Sequence, residues 1–122
     1  MTAAVRALRG ATTIDADTAE QVRERTTTLL QEMVGRNGVD HDDVISVLFT
    51  ATDDIHSMFP ATAARDIGFG DVPLICAREL DITGSTPLCI RVLMHLTTER
   101  GRSELRHVYL EGASGLRDDL PE

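Results

Sequence analysis

Three charged side chains stand in segments whose other residues are mostly apolar: Arg9, Arg91 and Arg106. A guanidinium carries a permanent charge, so near a core it needs a carboxylate or another anion beside it. One interpretation is structural, either an internal ion pair with Glu79, Asp81 or Glu111, or a side chain that reaches solvent at a strand end. The other is a clamp for a substrate with carboxylates, which the planar fork of arginine matches.

The sequence lacks the residues or spacings that several other kinds of site require. All twelve basic residues are arginines, which removes a Schiff-base lysine, a phosphate-loop lysine and a lysine general base. The four histidines are scattered, and neither cysteine has a Cys or His two to four residues away, so we expect no metal site. The Gly-Ala-Ser-Gly sequence at residues 112–115 lacks the strand-turn-helix setting and the full spacing of a nucleophile elbow. We expect no cofactor.

Length and composition predict one domain over residues 1–122, with 42% hydrophobic residues and a net charge of -8. The negative charge disfavours nucleic acid and anionic membranes as partners, and no apolar run approaches the ~20 residues of a membrane span. The two cysteines and the absence of a signal sequence predict a reduced, cytoplasmic protein. A chain this short has little room for a deep internal cavity, so we expect a ligand site between subunits.

Hydrophobic periodicity predicts the elements that position these side chains. Asp17-Thr-Ala-Glu20 is typical of a capping box, and the helix that follows is expected to stop at Asn37-Gly38. A second helix is expected to begin at Pro60 and end at Gly68. Strands are predicted at residues 3–13, 44–52, 72–77, 88–98 and 105–110. The order β-α-β-α-β-β-β predicts a small α+β (α/β-like) domain with a mixed sheet and two main helices on one face.

Three segments then carry a family resemblance: VRALRGATT at residues 5–13, CIRV at 89–92 and LRHVYLE at 105–111. Met58-Phe-Pro-Ala61, Val72-Pro73 with Cys76 and Glu79, and Leu116-Arg117 follow in the same order. With these segments the chain resembles, over nearly its whole length, the trimeric class of monofunctional chorismate mutase, which is unrelated to the all-helical class.

The resemblance implies a homotrimeric pseudo-α/β barrel with active sites between subunits. It implies an isomerase that converts chorismate to prephenate, in the biosynthesis of phenylalanine and tyrosine, without a covalent or acid-base step. Arginines without obvious partners suit such catalysis by orientation and electrostatics. Two weaker alternatives remain: a non-catalytic trimer that binds a small carboxylate metabolite, and an imine-hydrolysing trimer of similar shape.

The resemblance also implies roles for three charged residues. Arg9 looks like the clamp for a substrate carboxylate. Arg91 looks like the donor to the ether oxygen, which gains negative charge as its bond to the ring breaks. Glu79 resembles the carboxylate that binds the ring hydroxyl and balances positive charge on the ring. A simple ion pair with Arg91 or Arg9 is the structural alternative for Glu79.

The same resemblance implies the walls and rim of the site. Tyr109 and Cys76 resemble polar walls. Phe59 resembles an apolar wall from the neighbouring subunit, although by itself it would be assigned to the core. Arg65 matches a rim arginine, and Leu116 and Arg117 resemble the C-terminal segment that closes over the site.

Two positions depart from the family pattern. Thr62 stands where some relatives carry a lysine, and Ile75 stands where some have a threonine beside the cysteine. A second cationic contact at the entrance is therefore expected to be missing. His107 also matches a family position, and we interpret it as structural because it shares a strand face with Tyr109.

Overall fold

The structure, a computed structural model, describes residues 2–116. Its main elements are β1 (Ala4–Thr13), α1 (Ala19–Asn37), β2 (Val44–Ala51), α2 (Pro60–Ala64), β3 (Leu74–Arg78), β4 (Cys89–Thr98) and β5 (Val108–Tyr109). A π-helical turn at Arg65–Phe69 continues α2, and 3₁₀ turns lie at His41–Asp43, Arg102–Glu104 and Glu111–Ala113. The predicted element order and α+β class are confirmed. None of the helices described is long and apolar enough to span a membrane.

The five strands form one sheet in the order β3-β2-β4-β1-β5. Strand β4 is antiparallel to both of its neighbours, whereas β1 with β5 and β2 with β3 are parallel, which confirms the mixed sheet. Strand β3 begins at Leu74, two residues later than predicted. Pro73 has no N–H to donate and stands just before the strand, where its carbonyl accepts from the Val47 N–H at 3.0 Å.

Both main helices pack on one face of the sheet, as predicted. In α1, Leu29, Leu30 and Met33 are fully buried and form one core with strand residues such as Phe49. The helix lies so close to β1 that a Cβ on Gly10 would stand 2.5 Å from the Met33 sulfur. Glycine at position 10 therefore sets the distance between the helix layer and the sheet.

The other face of the sheet, here called the open face, is covered by neither α1 nor α2. It carries the alternate residues of each strand, including Arg9, Thr50 and Arg91. These side chains are partly exposed, and apolar ones such as Val5 and Ile75 are 63% and 64% exposed. The arginines singled out in β1 and β4 thus lie on a surface open to a ligand or a partner.

The cap of α1 differs from the prediction. Thr18 is the N-cap, and its hydroxyl accepts from the Gln21 N–H at 3.1 Å. Asp17 accepts instead from the backbone N–H groups of His56 and Ser57, at 2.9 and 3.1 Å. The capping box was therefore the wrong interpretation of Asp17, whose carboxylate fixes the loop that leads into α2.

The last strand is also shorter than the predicted 105–110, because side chains replace part of its backbone pairing. The Asn37 amide donates to the Arg106 carbonyl at 2.8 Å and accepts from the Arg106 N–H at 2.7 Å. The Arg9 N–H donates to Nδ1 of His107 at 3.0 Å. Within segment 105–110, only Val108–Tyr109 (β5) forms a regular ladder with β1.

Candidate active site

One row of residues crosses all five strands: Tyr109, Ala11, Arg91, Thr50 and Ala77 are opposite one another in turn. Side chains that face each other across paired strands point to the same face of a sheet. The row therefore places Arg91 near the centre of the open face. Thr50 is its neighbour on one side, and the small Ala11 separates it from Tyr109 on the other.

Glu79 follows the last residue of β3, and its side chain contacts the Arg91 and Thr50 side chains of this row. Its backbone N–H donates to the Ala51 carbonyl at 3.0 Å, and its Oε1 lies 3.2 Å from Nε of Arg91. Its Oε2 accepts a short hydrogen bond from the Thr50 hydroxyl. The Glu79 and Arg91 side chains are 19% and 31% exposed. The ion pair anticipated as one alternative for Arg91 is thus present, at the edge of a cleft that stays open.

The ion pair leaves part of the Arg91 guanidinium unsatisfied. Although Nε is buried and lies close to Glu79, its N–H meets no hydrogen-bond acceptor within residues 2–116, since the approach of the carboxylate is not in line with the bond. An unsatisfied buried donor is costly, and buried donors are normally paired. The exposed third of the Arg91 side chain does not include Nε, so a ligand in the cleft would meet other atoms of this side chain.

Arg9 lines the same cleft, which has a volume of about 280 Å³. Its Cα lies opposite Leu93, next to the row that contains Arg91. No ion pair within the part of the chain that the structure describes involves Arg9. The cleft thus combines two guanidinium groups with one carboxylate, which suits a small ligand with carboxylate and hydroxyl groups.

Tyr109 and Leu116 lie on the β5 side of the row that contains Arg91. Tyr109 is 3% exposed and forms a small apolar cluster with Ala11 and Ala113, against which Leu116 packs. Tyr109 is separated from Arg91 by Ala11, and neither Tyr109 nor Leu116 lines the cleft of Arg9 and Arg91. Arg117, assigned to the same closing segment, lies outside the described residues.

Arg106 does not belong to this group. Its guanidinium donates to the backbone carbonyls of Ser103 and Leu105, at 2.8 and 3.3 Å. These carbonyls are partners that the sequence did not indicate. Within residues 2–116 Arg106 forms no ion pair with Glu79, Asp81 or Glu111, so that alternative was wrong for Arg106.

Phe59, Arg65 and Cys76 form a second group. Phe59 precedes α2 and is 70% exposed, so it is not a core residue. Arg65 follows α2 and is exposed. Cys76 lies opposite Phe49 and packs against the core between sheet and helices. Phe59 and Cys76 line a cleft of about 530 Å³.

The Cys76 thiol is neutral at neutral pH. Burial raises its pKa above the ordinary value, and this effect exceeds the opposing influence of the Ala61 backbone hydrogen bond and the Arg65 charge. A protonated thiol is a poor nucleophile. Cys76 therefore fits the role of a polar wall.

The two groups line different clefts of the chain. Cys76 faces the helices together with Phe49, whereas Thr50 and Arg91 face the open side of the sheet. The two clefts have no lining residue in common. The residues that the resemblance implied therefore fall into two groups on opposite sides of the sheet.

The two departures from the family pattern lie on different sides of the sheet. The Thr62 hydroxyl accepts from Nη2 of Arg65 at 3.2 Å and so orients the rim arginine. Ile75 lies opposite Leu48 on the open face and is 64% exposed. This chain therefore has a hydroxyl beside Arg65 and an exposed apolar side chain on the open face at these two positions.

Thr50 is a residue of the cleft that the sequence did not indicate. Strand alternation could have placed it on the face opposite Phe49, but its position beside Arg91 depends on the β2–β4 register, which includes a shift between Val44 and Ser46.

No group of three or more His, Cys, Asp or Glu that could hold a metal ion occurs among the residues described.

Comparisons with known proteins agree on one family. Residues 5–120 match the family model described as chorismate mutase type I. The chain is 42% identical to chorismate mutase AroH of Bacillus subtilis (strain 168) over 117 residues, which cover 95% of this chain and 92% of that protein. It is 45% identical to chorismate mutase AroH of Thermus thermophilus, again over 117 residues, with 95% and 96% covered. A solved chorismate mutase from Clostridium thermocellum superimposes with a TM-score of 0.87 at 45% identity, covering 88% of this chain and 96% of that one.

Proposed function

The chain belongs to the type I chorismate mutase family, and from this premise we propose that the cleft of Arg9, Glu79 and Arg91 is the catalytic half of its active site. The enzyme is an isomerase that converts chorismate to prephenate in aromatic amino acid biosynthesis. The observation that carries the site assignment is that two arginines, Arg9 and the partly exposed Arg91, line one cleft together with the carboxylate of Glu79.

Arg91 stabilises the charge that develops during the reaction. In this rearrangement the ether C–O bond breaks while a C–C bond forms in the same molecule, and negative charge accumulates on the ether oxygen. A donor already fixed in a partly desolvated cleft strengthens its interaction as that charge grows, and it needs no reorganisation to do so. The contact of Nε with Glu79 and the strand position of Arg91 provide this fixed geometry.

Arg9 and Glu79 orient the substrate. Arg9 binds a substrate carboxylate through its fork of N–H groups, and Glu79 accepts a hydrogen bond from the ring hydroxyl and balances positive charge on the departing ring. Holding the two reacting ends of the substrate close together supplies much of the rate in a unimolecular reaction of this kind. No residue of the chain needs to gain or lose a proton in this scheme.

We further propose that three chains assemble so that the Phe59, Arg65 and Cys76 group of one chain completes the Arg9 and Arg91 cleft of its neighbour. The placement of the two groups on opposite faces supports this arrangement. So do large apolar side chains that a lone chain leaves exposed: Val5, Phe59, Ile75, Leu80 and Ile82. The free thiols of Cys76 and Cys89 support a cytoplasmic location for the assembly.

The decisive experiment follows the loss of chorismate ultraviolet absorbance after purified protein is added, with prephenate identified as the product. Arg91→Ala is compared at equal concentration with Arg23→Ala, which removes a surface arginine that is 55% exposed. Fast turnover that Arg91→Ala abolishes and Arg23→Ala retains supports the proposal. Loss no faster than the spontaneous reaction, together with tight binding of an aromatic carboxylate, would leave the non-catalytic trimer as the function.

A further inference from the structure

We propose that Thr50 is a positioning residue: its hydroxyl holds the Glu79 carboxylate in a one-point contact with Arg91, so that the guanidinium keeps N–H groups for the substrate. This inference rests on the function proposed for the cleft. It concerns a residue that touches Glu79 rather than the reacting atoms, and it explains the geometry of the Arg91–Glu79 pair.

The two oxygens of Glu79 have different partners. Oε1 lies 3.2 Å from Nε of Arg91, whereas Oε2 accepts from the Thr50 hydroxyl. A carboxylate beside a guanidinium favours a two-point contact, in which both oxygens meet N–H groups of the same arginine. With Oε2 bound to Thr50, that arrangement is not reached, and Nε of Arg91 retains a hydrogen without an acceptor in the described chain.

Thr50 is well placed to impose this geometry. It stands directly opposite Arg91 in the β2–β4 ladder, so its hydroxyl and the guanidinium share one row of the open face. The next residue, Ala51, holds the Glu79 backbone through a 3.0 Å hydrogen bond. A β-branched side chain has few χ1 rotamers, which limits the directions available to the hydroxyl. Backbone and side chain of Glu79 are therefore both tied to adjacent residues of β2.

Removal of the hydroxyl frees Oε2. The carboxylate can then turn towards Arg91 and occupy two of its N–H groups, which competes directly with the ether oxygen of the substrate. Since a hydrogen bond to a charged group contributes about 1.5–3 kcal/mol, Thr50→Val should lower kcat roughly 10- to 100-fold. Because Arg9 is untouched, KM should change much less than kcat.

The test compares three variants by chorismate turnover. Thr50→Val replaces the hydroxyl with a methyl group of similar size, and Thr50→Ser keeps the hydroxyl on a smaller side chain. Thr28→Val makes the same chemical change at an exposed position of α1. We expect low kcat for Thr50→Val, kcat within about threefold of wild type for Thr50→Ser because its hydrogen bond is retained, and no change for Thr28→Val. Equal kcat for Thr50→Val and wild type would overturn the proposal.

A double-mutant cycle separates positioning from a structural effect. In a Glu79→Gln background, Thr50→Val should produce little further loss of kcat, because the carboxylate it orients is absent. A full additional loss in that background would show that Thr50 acts on something other than Glu79. If Thr50→Val fails to fold, Thr50→Ala in the same cycle takes its place. Inactive wild-type protein refutes the proposed function, whereas active wild type with an additive cycle refutes only the role of Thr50.

Discussion

The backbone N–H of Arg9 donates a 3.0 Å hydrogen bond to Nδ1 of His107, so an imidazole near the C-terminus fixes the strand that carries a cleft arginine. An Nδ1 atom that accepts a hydrogen bond carries no proton, so this contact requires the neutral imidazole. His107 is 7% exposed and lies two residues before Tyr109. Its contact with β1 agrees with the structural interpretation that the sequence favoured.

Asn37 is predicted to be the main side-chain link that secures this C-terminal segment. Its amide makes three hydrogen bonds with backbone groups of Met33 and Arg106, and the residue is 3% exposed. Asn37→Ala leaves buried backbone groups without partners, so the free energy of unfolding should fall by about 2–4 kcal/mol. Urea denaturation measures the loss, with Gln31→Ala on the exposed face of α1 as the control. Equal midpoints for both variants would contradict the assignment.

Charge alone should not suffice at position 91. Arg91→Lys keeps the positive charge but loses the planar fork that meets Glu79 and the substrate at once. We expect kcat to fall by roughly two to three orders of magnitude, as on removal of a fixed transition-state donor. Steady-state kinetics beside Arg23→Lys, which makes the same change at an exposed position, provides the measurement. A lysine variant with near-normal kcat would mean that only the net charge of the cleft matters.

Mixed assemblies should recover activity that neither parent has. Arg91→Ala damages the open-face cleft, and Arg65→Ala damages the group beside α2. When the two variants are co-refolded, a site between an intact cleft of one chain and an intact rim of the next regains its residues. Random mixing should restore about a quarter of the sites, because two chains must each contribute the correct half. Activity that stays at the average of the two parents would place all the residues in one subunit.

Restoring a cation at the rim should improve substrate capture. In this chain Thr62 bonds to Arg65 and supplies no charge. Thr62→Lys should lower KM for the carboxylate-bearing substrate by about two- to fivefold, with kcat unchanged and with the gain reduced by added salt. Gln31→Lys adds the same charge on α1, remote from the site, and should leave KM unaltered. An equal drop in KM for both variants would point to net charge rather than to the rim.

Cys76 should react with alkylating agents only at unusually high pH. Burial raises the pKa of its thiol, so the reactive thiolate forms later than in an unstructured peptide as pH increases. Over the same range the unfolded chain loses the proton first, so folding stability declines as pH rises above the ordinary thiol pKa. Iodoacetamide labelling followed by mass spectrometry tests this, with a cysteine peptide as reference. A Cys76 profile that coincides with the peptide would refute the prediction.

Hydrophobic periodicity, together with the residues that start and end helices, predicted most of the fold. The alternation at Leu88–Thr98 indicated a strand with one buried face, which β4 confirms. Gly38 ends α1 with φ of +57°, as its position after Asn37 indicated. The family resemblance, rather than local pattern, identified the residues of the site.

Hydrogen bonds between residues far apart in the sequence could not be predicted from local sequence patterns. The link from Thr50 to Glu79 spans 29 residues, and the one from Arg9 to His107 spans 98. Both depend on strand register and on which elements become neighbours, which periodicity does not encode. Residues 105–107 were assigned to a strand for the same reason, since their alternation says nothing about the Asn37 amide that takes the place of a neighbouring strand.

The tight stretch of β1 has a consequence for directed evolution of this scaffold. Gly10 touches Met33 on the helix side, and Ala11 fills the gap between Tyr109 and Arg91 on the other. A larger residue at position 10 or 11 would displace Arg9, which directly precedes them. Libraries aimed at new substrates should therefore leave positions 10 and 11 constant and place their diversity at Thr62, which lies in α2 rather than in the sheet.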